Sequence, residues 1–374
     1  MDITIKKVQS KQELKQFIEF PNTLYKNNEY FVPALFRHEL KTLSKKDNPA
    51  FEFCEARYWL AYRHNRLVGR IAGIINHNYN KKIGEKCARF GWLDFTKDEE
   101  VLQKLMQTAE NWAIQKDAAC IHGPLGFISF DPSGVLVEGF NELPTSFGHY
   151  NFPYYPEFIE RQGYKKDIDW LEYNVRVPEK VPDNFAKTAK IIKKRYNLQS
   201  VELNNKKDLT NYADAIFQLI NREYTNLYSF SELTDSQIEQ LKKQFIPMIR
   251  LEYVSLVVNS NNEVIGLGLC MPSLAKALKK AKGKLYPLGI FRILHALRNN
   301  DTVDTLLIAV DKQYQDKGVN AIIFDDIGNA FIKNGITNIE SNRELESNYS
   351  VNNLWKKFDY RQHKRARCYC KYLY

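Results

Sequence analysis

The stretch Gln315-Asp316-Lys317-Gly318-Val319-Asn320-Ala321 holds the most explicit chemistry in the chain. It is polar and turn-rich, and a glycine stands where the backbone must turn into a helix. Just upstream, residues 305–310 are apolar and include the β-branched Ile308 and Val310, which is the pattern of a buried strand. Downstream, Ile322, Ile323, Phe324, Ile327, Ala330 and Phe331 recur at helical spacing and give one apolar face. A strand that enters a helix through such a loop presents unpaired N–H groups at the positive end of a helix dipole. Chemistry of that kind holds an anion, and a phosphate group in particular.

Residues 336–341 read as a short strand, after which Asn348 is followed seven residues later by Trp355 and then by Asp359-Tyr360. Loop and second motif together resemble the GNAT superfamily of N-acetyltransferases. Gln315 and Gly318 match the superfamily's Gln/Arg-x-x-Gly-x-Gly/Ala loop, with Asn320 where Gly or Ala is usual. Asn tolerates positive φ better than most residues. Asn348 falls at the Asn of the second signature, Trp355 at its Tyr, and Asp359-Tyr360 at its Gly-Phe pair.

The resemblance implies acetyl-CoA or another acyl-CoA as co-substrate and a small-molecule or peptide amine as acceptor. Ile308, Ala309 and Val310 would then flank the pantetheine arm, in the splay between their strand and the one at 337–341. Gln315, Lys317, Gly318, Val319, Asn320 and Ala321 would surround the pyrophosphate, with Asn348 beside them. In many members the Tyr protonates the departing thiolate. An indole N–H donates a hydrogen bond but is no usable acid near neutral pH, so Trp355 cannot take over that task. The catalytic acid and base therefore stay unassigned. Glu223, Glu232, Glu138 and His122 fall in or near segments expected at the cleft, and nothing in the sequence selects among them.

The elements that position this site repeat along the chain. Ser10 with Glu13, Thr96 with Glu99, and Thr234 with Gln237 are capping-box starts for helices. Residues 57–63 and 67–75 form one hairpin, and residues 253–258 and 264–271 another. Gly69 corresponds to Gly266 (266 − 69 = 197), Tyr164 to Tyr360 (360 − 164 = 196), and the strand at 171–177 to that at 367–373 (367 − 171 = 196). One order of elements at a near-constant offset predicts an internal duplication. The expected fold class is α/β with mixed sheets, as two tandem GNAT-like domains at residues 1–178 and 184–374. The boundary is the proline-containing 178–183. Only the second half carries the glycine loop, because residues 96–100 enter the matching helix of the first half with acidic side chains. The segment 123–156, rich in Gly, Pro and aromatic residues, is expected to line a cleft.

At 374 residues, with 44% hydrophobic content, two cores are the natural expectation. The net charge of +10 suits an anionic ligand, but no Arg-rich tract or nucleic-acid motif accompanies it, so nucleic acid is not the expected partner. No apolar run is long enough for a membrane span, and MDITIKKVQS lacks the core of a signal peptide. Six scattered cysteines predict no disulfide framework, consistent with a reducing cytoplasm. The histidines form no pair at metal-ligand spacing, and no metal is expected. Besides acyl transfer, two readings stay open. One is a non-catalytic coenzyme A-binding scaffold, and the other is an aminoacyl transferase using aminoacyl-tRNA. The Lys-rich helical insertion at 274–300 is read as a solvated face or as a contact for an anionic partner.

Overall fold

The computed structural model describes residues 3–374, and its strands form one mixed sheet. The first half runs β1 (Thr4–Lys7), α1 (Lys11–Leu24), α2 (Phe36–Leu43), β2 (Cys54–Arg63), β3 (Arg66–Asn76), α3 (His77–Ile83), β4 (Cys87–Phe95) and α4 (Glu99–Ile114). It closes with β5 (Cys120–Gly123), β6 (Val135–Glu138), α5 (Tyr154–Arg161) and β7 (Lys165–Arg176). The second half runs α6 (Asp183–Tyr196), β8 (Gln199–Ser200), α7 (Lys206–Glu223), α8 (Asp235–Phe245), β9 (Val254–Val258), β10 (Val264–Pro272), α9 (Ala275–Ala281) and α10 (Gly289–Arg298). After these come β11 (Thr302–Val310), α11 (Val319–Lys333), β12 (Asn338–Glu340), β13 (Glu344–Leu345), α12 (Tyr349–Trp355) and β14 (Tyr360–Tyr372).

The two halves are tied by an exchange of their last strands. The sheet order is β1-β2-β3-β4-β5-β14-β7-β12-β11-β10-β9-β8, with β6 pairing to β14 and β13 to β7. Thus β14 pairs with β5 of the first half, Tyr369 opposite Gly123, while β7 pairs with β12 of the second, Val175 opposite Ile339. The two exchanged strands also pair with each other from Tyr360↔Val175 to Cys370↔Lys165. Each half keeps its own core under its own helix. One gathers Leu102, Leu105, Met106 and Trp112 of α4, and the other gathers Ile322, Ile323, Ile327 and Phe331 of α11. Gly268 of β10 lets α11 approach the sheet, since a Cβ there would stand 2.3 Å from Ile323 Cγ2.

Several local readings change. The helix α4 is capped by Asp98, whose side chain accepts from Glu100 N, and not by Thr96. An Asp one residue before the first helical turn reaches the free N–H groups as well as Thr can. The caps at Ser10 and Thr234 form as the spacing predicts. Helix α1 continues through Pro21, and β8 is only two residues long. Cys87 and Cys120 stand opposite one another on parallel β4 and β5, Cα atoms 5.0 Å apart, and are joined by a disulfide. The other four cysteines are free. No helix among the described residues is long and apolar enough to cross a membrane.

Candidate functional site

Both halves contain a parallel strand pair that opens after three residues. In the second half β11 pairs with β12 only from Thr302↔Asn338 to Asp304↔Glu340. In the first half β4 pairs with β5 only from Cys87↔Cys120 to Arg89↔His122. The first gap is closed, because Leu125 N donates to Phe90 O at 2.8 Å and a Cβ on Gly91 would stand 2.3 Å from Leu125 O. Its helix start is also neutralised, with Arg63 Nη2 3.0 Å from Asp98 and 2.6 Å from Glu100. The second gap is open. Ile308, Ala309, Val310, Gln315, Gly318, Val319, Asn320, Ala321 and Asn348 all line one cavity of about 1650 Å³.

Gly318 has φ +84° and caps α11, a conformation that side-chain-bearing residues rarely adopt. The turn is completed by Asp316 at φ 58°. Asn320 already lies inside the helix, so its tolerance of positive φ is not used. Its N–H and that of Val319 belong to the first helical turn, where no intrahelical acceptor exists. Gln315 faces inward to the loop: its Nε2 donates to Val310 O at 2.9 Å and to Glu223 Oε2 at 3.2 Å. Arg222 pairs with Asp311 at 2.6 Å and pins the same corner. Lys317 lies off the cavity wall, its ammonium 5.3 Å from the ring of Tyr196 and 5.4 Å from that of Tyr314. Asn348 caps α12, accepting from Val351 N.

Of the four candidate bases, only Glu223 lines the cavity, and it is held by Gln315 and by Arg222 at 3.1 Å. Glu138 pairs with Arg365 at 3.1 Å, and Glu232 is exposed. His122 is buried away from the cavity wall, its Nδ1 2.9 Å from Tyr228 Oη, and burial beside Arg89 pushes it down to about 3.

A carboxyl outside these four also lines the cavity. It belongs to Glu344, on the two-residue strand β13 opposite Leu171 of β7. Trp355 Nε1 donates to both of its oxygens, at 2.8 and 3.0 Å. Burial pushes this carboxyl up to about 8, against the lowering effect of the indole donor. Tyr224, whose hydroxyl donates to Ile308 O at 2.9 Å, stands on the same wall. Arg343, the residue before Glu344, is fixed by Glu172 at 3.0 Å, and Lys364 holds the same carboxylate at 2.9 Å. These two cations overcome the burial of Glu172 and keep it at about 2. A carboxyl raised by burial, on the wall of the same cavity as the β11 edge and the start of α11, has the equipment for general base catalysis. The sequence reading missed Glu344, although a Trp in the Tyr position signalled a donor that needs an acceptor.

The cavity extends well beyond the splay. Leu209, Ile216 and Ile220 of α7, Leu241 and Phe245 of α8, and Leu267 and Leu269 of β10 all line it. Phe127, Phe130 and Phe147 contribute from the segment expected to line a cleft, as do Trp170 and Val175 from the exchanged strand β7. The greater part of the enclosure is hydrocarbon.

An open parallel pair, a glycine-capped helix below it and a duplicated, strand-exchanged sheet define a tandem GNAT-like fold. The chain matches a tandem GNAT protein from the clavulanic acid biosynthesis pathway at TM-score 0.58 and 12% identity, covering 100% of this chain and 99% of that one. In sequence it is 25% identical over 372 residues to Protein YghO of Escherichia coli (strain K12), covering 97% of this chain and 94% of the relative. It is also 26% identical over 322 residues to a bacterial ceramide synthase of Caulobacter vibrioides, covering 84% and 82% of the two chains. No family model matches the chain.

Proposed function

We propose that this protein is an acyl-CoA-dependent N-acyltransferase that joins a long acyl chain to an apolar primary amine at the open splay of its second half. The observation that carries this reading is Glu344, raised to about 8 and held by Trp355 in a cavity lined mostly by hydrocarbon. We take residues 184–374 as the coenzyme-binding unit. Residues 1–178 lend it strand β7 and the loop that carries Phe127 and Phe130. The cofactor-binding residues remain those of β11 and the Gly318 loop, with Gln315 shaping the loop and Lys317 adding charge outside the cavity.

The N–H groups of Gly318, Val319 and Asn320, at the positive end of α11, suit a pyrophosphate, while that of Ala321 donates to Gly318 O at 2.9 Å. The edge of β11 beyond its pairing with β12, where Tyr224 already holds Ile308 O and Gln315 holds Val310 O, suits an extended amide chain that pairs with the groups left between them. Bound acyl-CoA would supply the activated acyl carbon. The C–N bond forms as the C–S bond breaks, and one proton passes from nitrogen to sulfur. Glu344 accepts that proton from the amine and returns it to the leaving sulfur, so a single carboxyl serves as base and then acid. Trp355 orients the carboxyl without exchanging a proton itself.

Acetyl-CoA alone leaves the apolar cavity unused. Each buried methylene of a longer chain adds about 0.8 kcal/mol. The likeness to a bacterial ceramide synthase points the same way, since a ceramide is an amide of a long-chain amine. Thermal unfolding with acetyl-CoA and with palmitoyl-CoA tests the binding. A ligand at about 100 times its Kd adds about 2.7 kcal/mol. Palmitoyl-CoA should raise the midpoint by several degrees, acetyl-CoA should raise it less at equal concentration, and Gly318→Glu should abolish both effects. Equal shifts in parent and variant would overturn the assignment.

A further inference from the structure

Between Leu274 and Asn300 the chain carries seven Lys or Arg residues, from Lys276 to Arg298, and no Asp or Glu. The whole chain has a net charge of +10, from 54 basic and 44 acidic residues, so this segment supplies most of it. The acyltransfer reading makes no use of these cations. The segment folds as the helices α9 and α10, joined by a turn at Lys282 and Gly283.

The amphipathic pattern of α10 is unusual in leaving an apolar face in solvent. Ile293 is buried against Met271, Leu274 and Leu278. On the outer side Tyr286, Leu288, Phe291 and Leu294 are 64, 59, 66 and 46% exposed. A solvated surface helix ordinarily turns polar side chains outward. Here large apolar side chains point outward, with Lys280, Lys282, Lys284 and Arg292 exposed around them.

Hydrocarbon beside exposed cations, in a segment with no acid of its own and with Lys276 paired to Asp301 at its edge at 3.6 Å, suits the surface of an anionic lipid bilayer. The apolar side chains enter the headgroup region while lysine and arginine meet the phosphates. Nucleic acid would satisfy the cations but leave Leu288 and Phe291 without a role. A second copy docked by this face would set one set of cations against another. We propose that the α9–α10 segment docks the protein on anionic membrane surfaces, with Leu288, Phe291 and Leu294 as the inserting residues.

The patch adjoins the cavity, because Leu285 of this segment and Leu35 and Arg37 beside it line the cavity wall. Arg37 also stands 5.2 Å over the ring of the exposed Tyr286. A lipid amine or acyl chain leaving the bilayer would therefore have a short path inward. Docking stands on the charge and exposure of the segment, and only this delivery role rests on the proposed acyl transfer.

Flotation of the full chain with vesicles of phosphatidylglycerol and phosphatidylcholine tests the proposal, with pure phosphatidylcholine as the comparison. Binding to the anionic vesicles alone is expected, weakening as salt rises from about 50 mM to about 0.5 M. Leu288→Glu with Phe291→Glu should lower the partition by more than about tenfold. Should that variant fail to fold, Phe291→Trp supplies a second reading, and brominated anionic lipid should quench more emission from it than from the parent. Absence of vesicle binding by the parent, or no additional quenching, would overturn the proposal. So would RNA binding that survives Leu288→Glu/Phe291→Glu, or a concentration-dependent dimer without vesicle binding that this variant abolishes.

Discussion

The indole nitrogen of Trp355 lies 2.8 and 3.0 Å from the two carboxylate oxygens of Glu344. Trp355 falls at the Tyr of the signature that the sequence resembles, and in the proposed mechanism the pair would divide between two residues what a phenol does alone. The indole supplies a fixed donor, and the carboxyl supplies the exchangeable proton. In a cavity that disfavours charge, the partner of such a donor acquires a pKa suited to proton transfer near neutral pH.

Replacing Glu344 by Gln keeps the shape and the hydrogen bond acceptor but removes the proton-transfer group. The rate of amide formation should fall by about 10²- to 10⁴-fold, with acyl-CoA affinity little changed. Single-turnover rates and a thermal shift with acyl-CoA, measured on the same preparations, check the two halves of this expectation.

Stability should depend on pH in a definite direction. Glu344 stands near 8 when folded, against an ordinary value of 4.5. Between these values the folded chain holds a proton that the unfolded chain has released, so this group lowers stability as pH rises. Glu344→Gln removes that slope. The variant should match the parent near pH 4 and exceed it at pH 9 by on the order of 3 kcal/mol, as read by urea unfolding. Asp131 and Asp304, raised by burial to about 7 and about 6, slope the same way but remain in both proteins, so the difference isolates Glu344.

Trp355→Phe should act on the pH profile more than on the maximal rate. Without the indole donor, burial alone governs Glu344, and its pKa should move further upward by about one unit. Activity at pH 7 should then fall about tenfold while the alkaline plateau is largely retained. Loss of the plateau as well would assign Trp355 a role beyond positioning.

Chain-length preference should follow the cavity wall. Ile216, on α7, is buried and lines the apolar reach of the cavity. Ile216→Trp should cost long-chain acyl-CoA most of its advantage over acetyl-CoA, while acetyl-CoA kinetics change little. Comparison of kcat/KM across a series of acyl lengths reads this directly.

The loop around Gly318 was legible in the sequence because each of its signals is local. A β-branched run, a glycine with positive φ and a 3.6-residue apolar period all fall within residues 304–331. The matching ends of the two halves were legible as an offset, but their exchange was not. Which partner β7 and β14 choose depends on sheet edges more than 150 residues away along the chain. Glu344 was illegible for the same reason. In Arg343-Glu344-Leu345-Glu346 it reads as a solvated acid, and only the pairing of β13 with the exchanged β7, together with Trp355, sets it half-buried in the cavity wall. The disulfide between Cys87 and Cys120 needed the register of β4 on β5, which the spacing of cysteines cannot supply.

The most direct test of acyl transfer through Glu344 is thiol release from palmitoyl-CoA in the presence of a long-chain primary amine. It would be followed from about pH 6 to about pH 9 for the parent and for Glu344→Gln. The parent should release thiol in step with amide, its rate rising tenfold per pH unit and levelling near pH 8, while the variant stays at or below about 1% of it throughout. Equal rates and equal pH profiles in the two proteins would contradict the assignment of Glu344. The absence of amine-dependent thiol release from the folded parent would contradict acyl transfer itself.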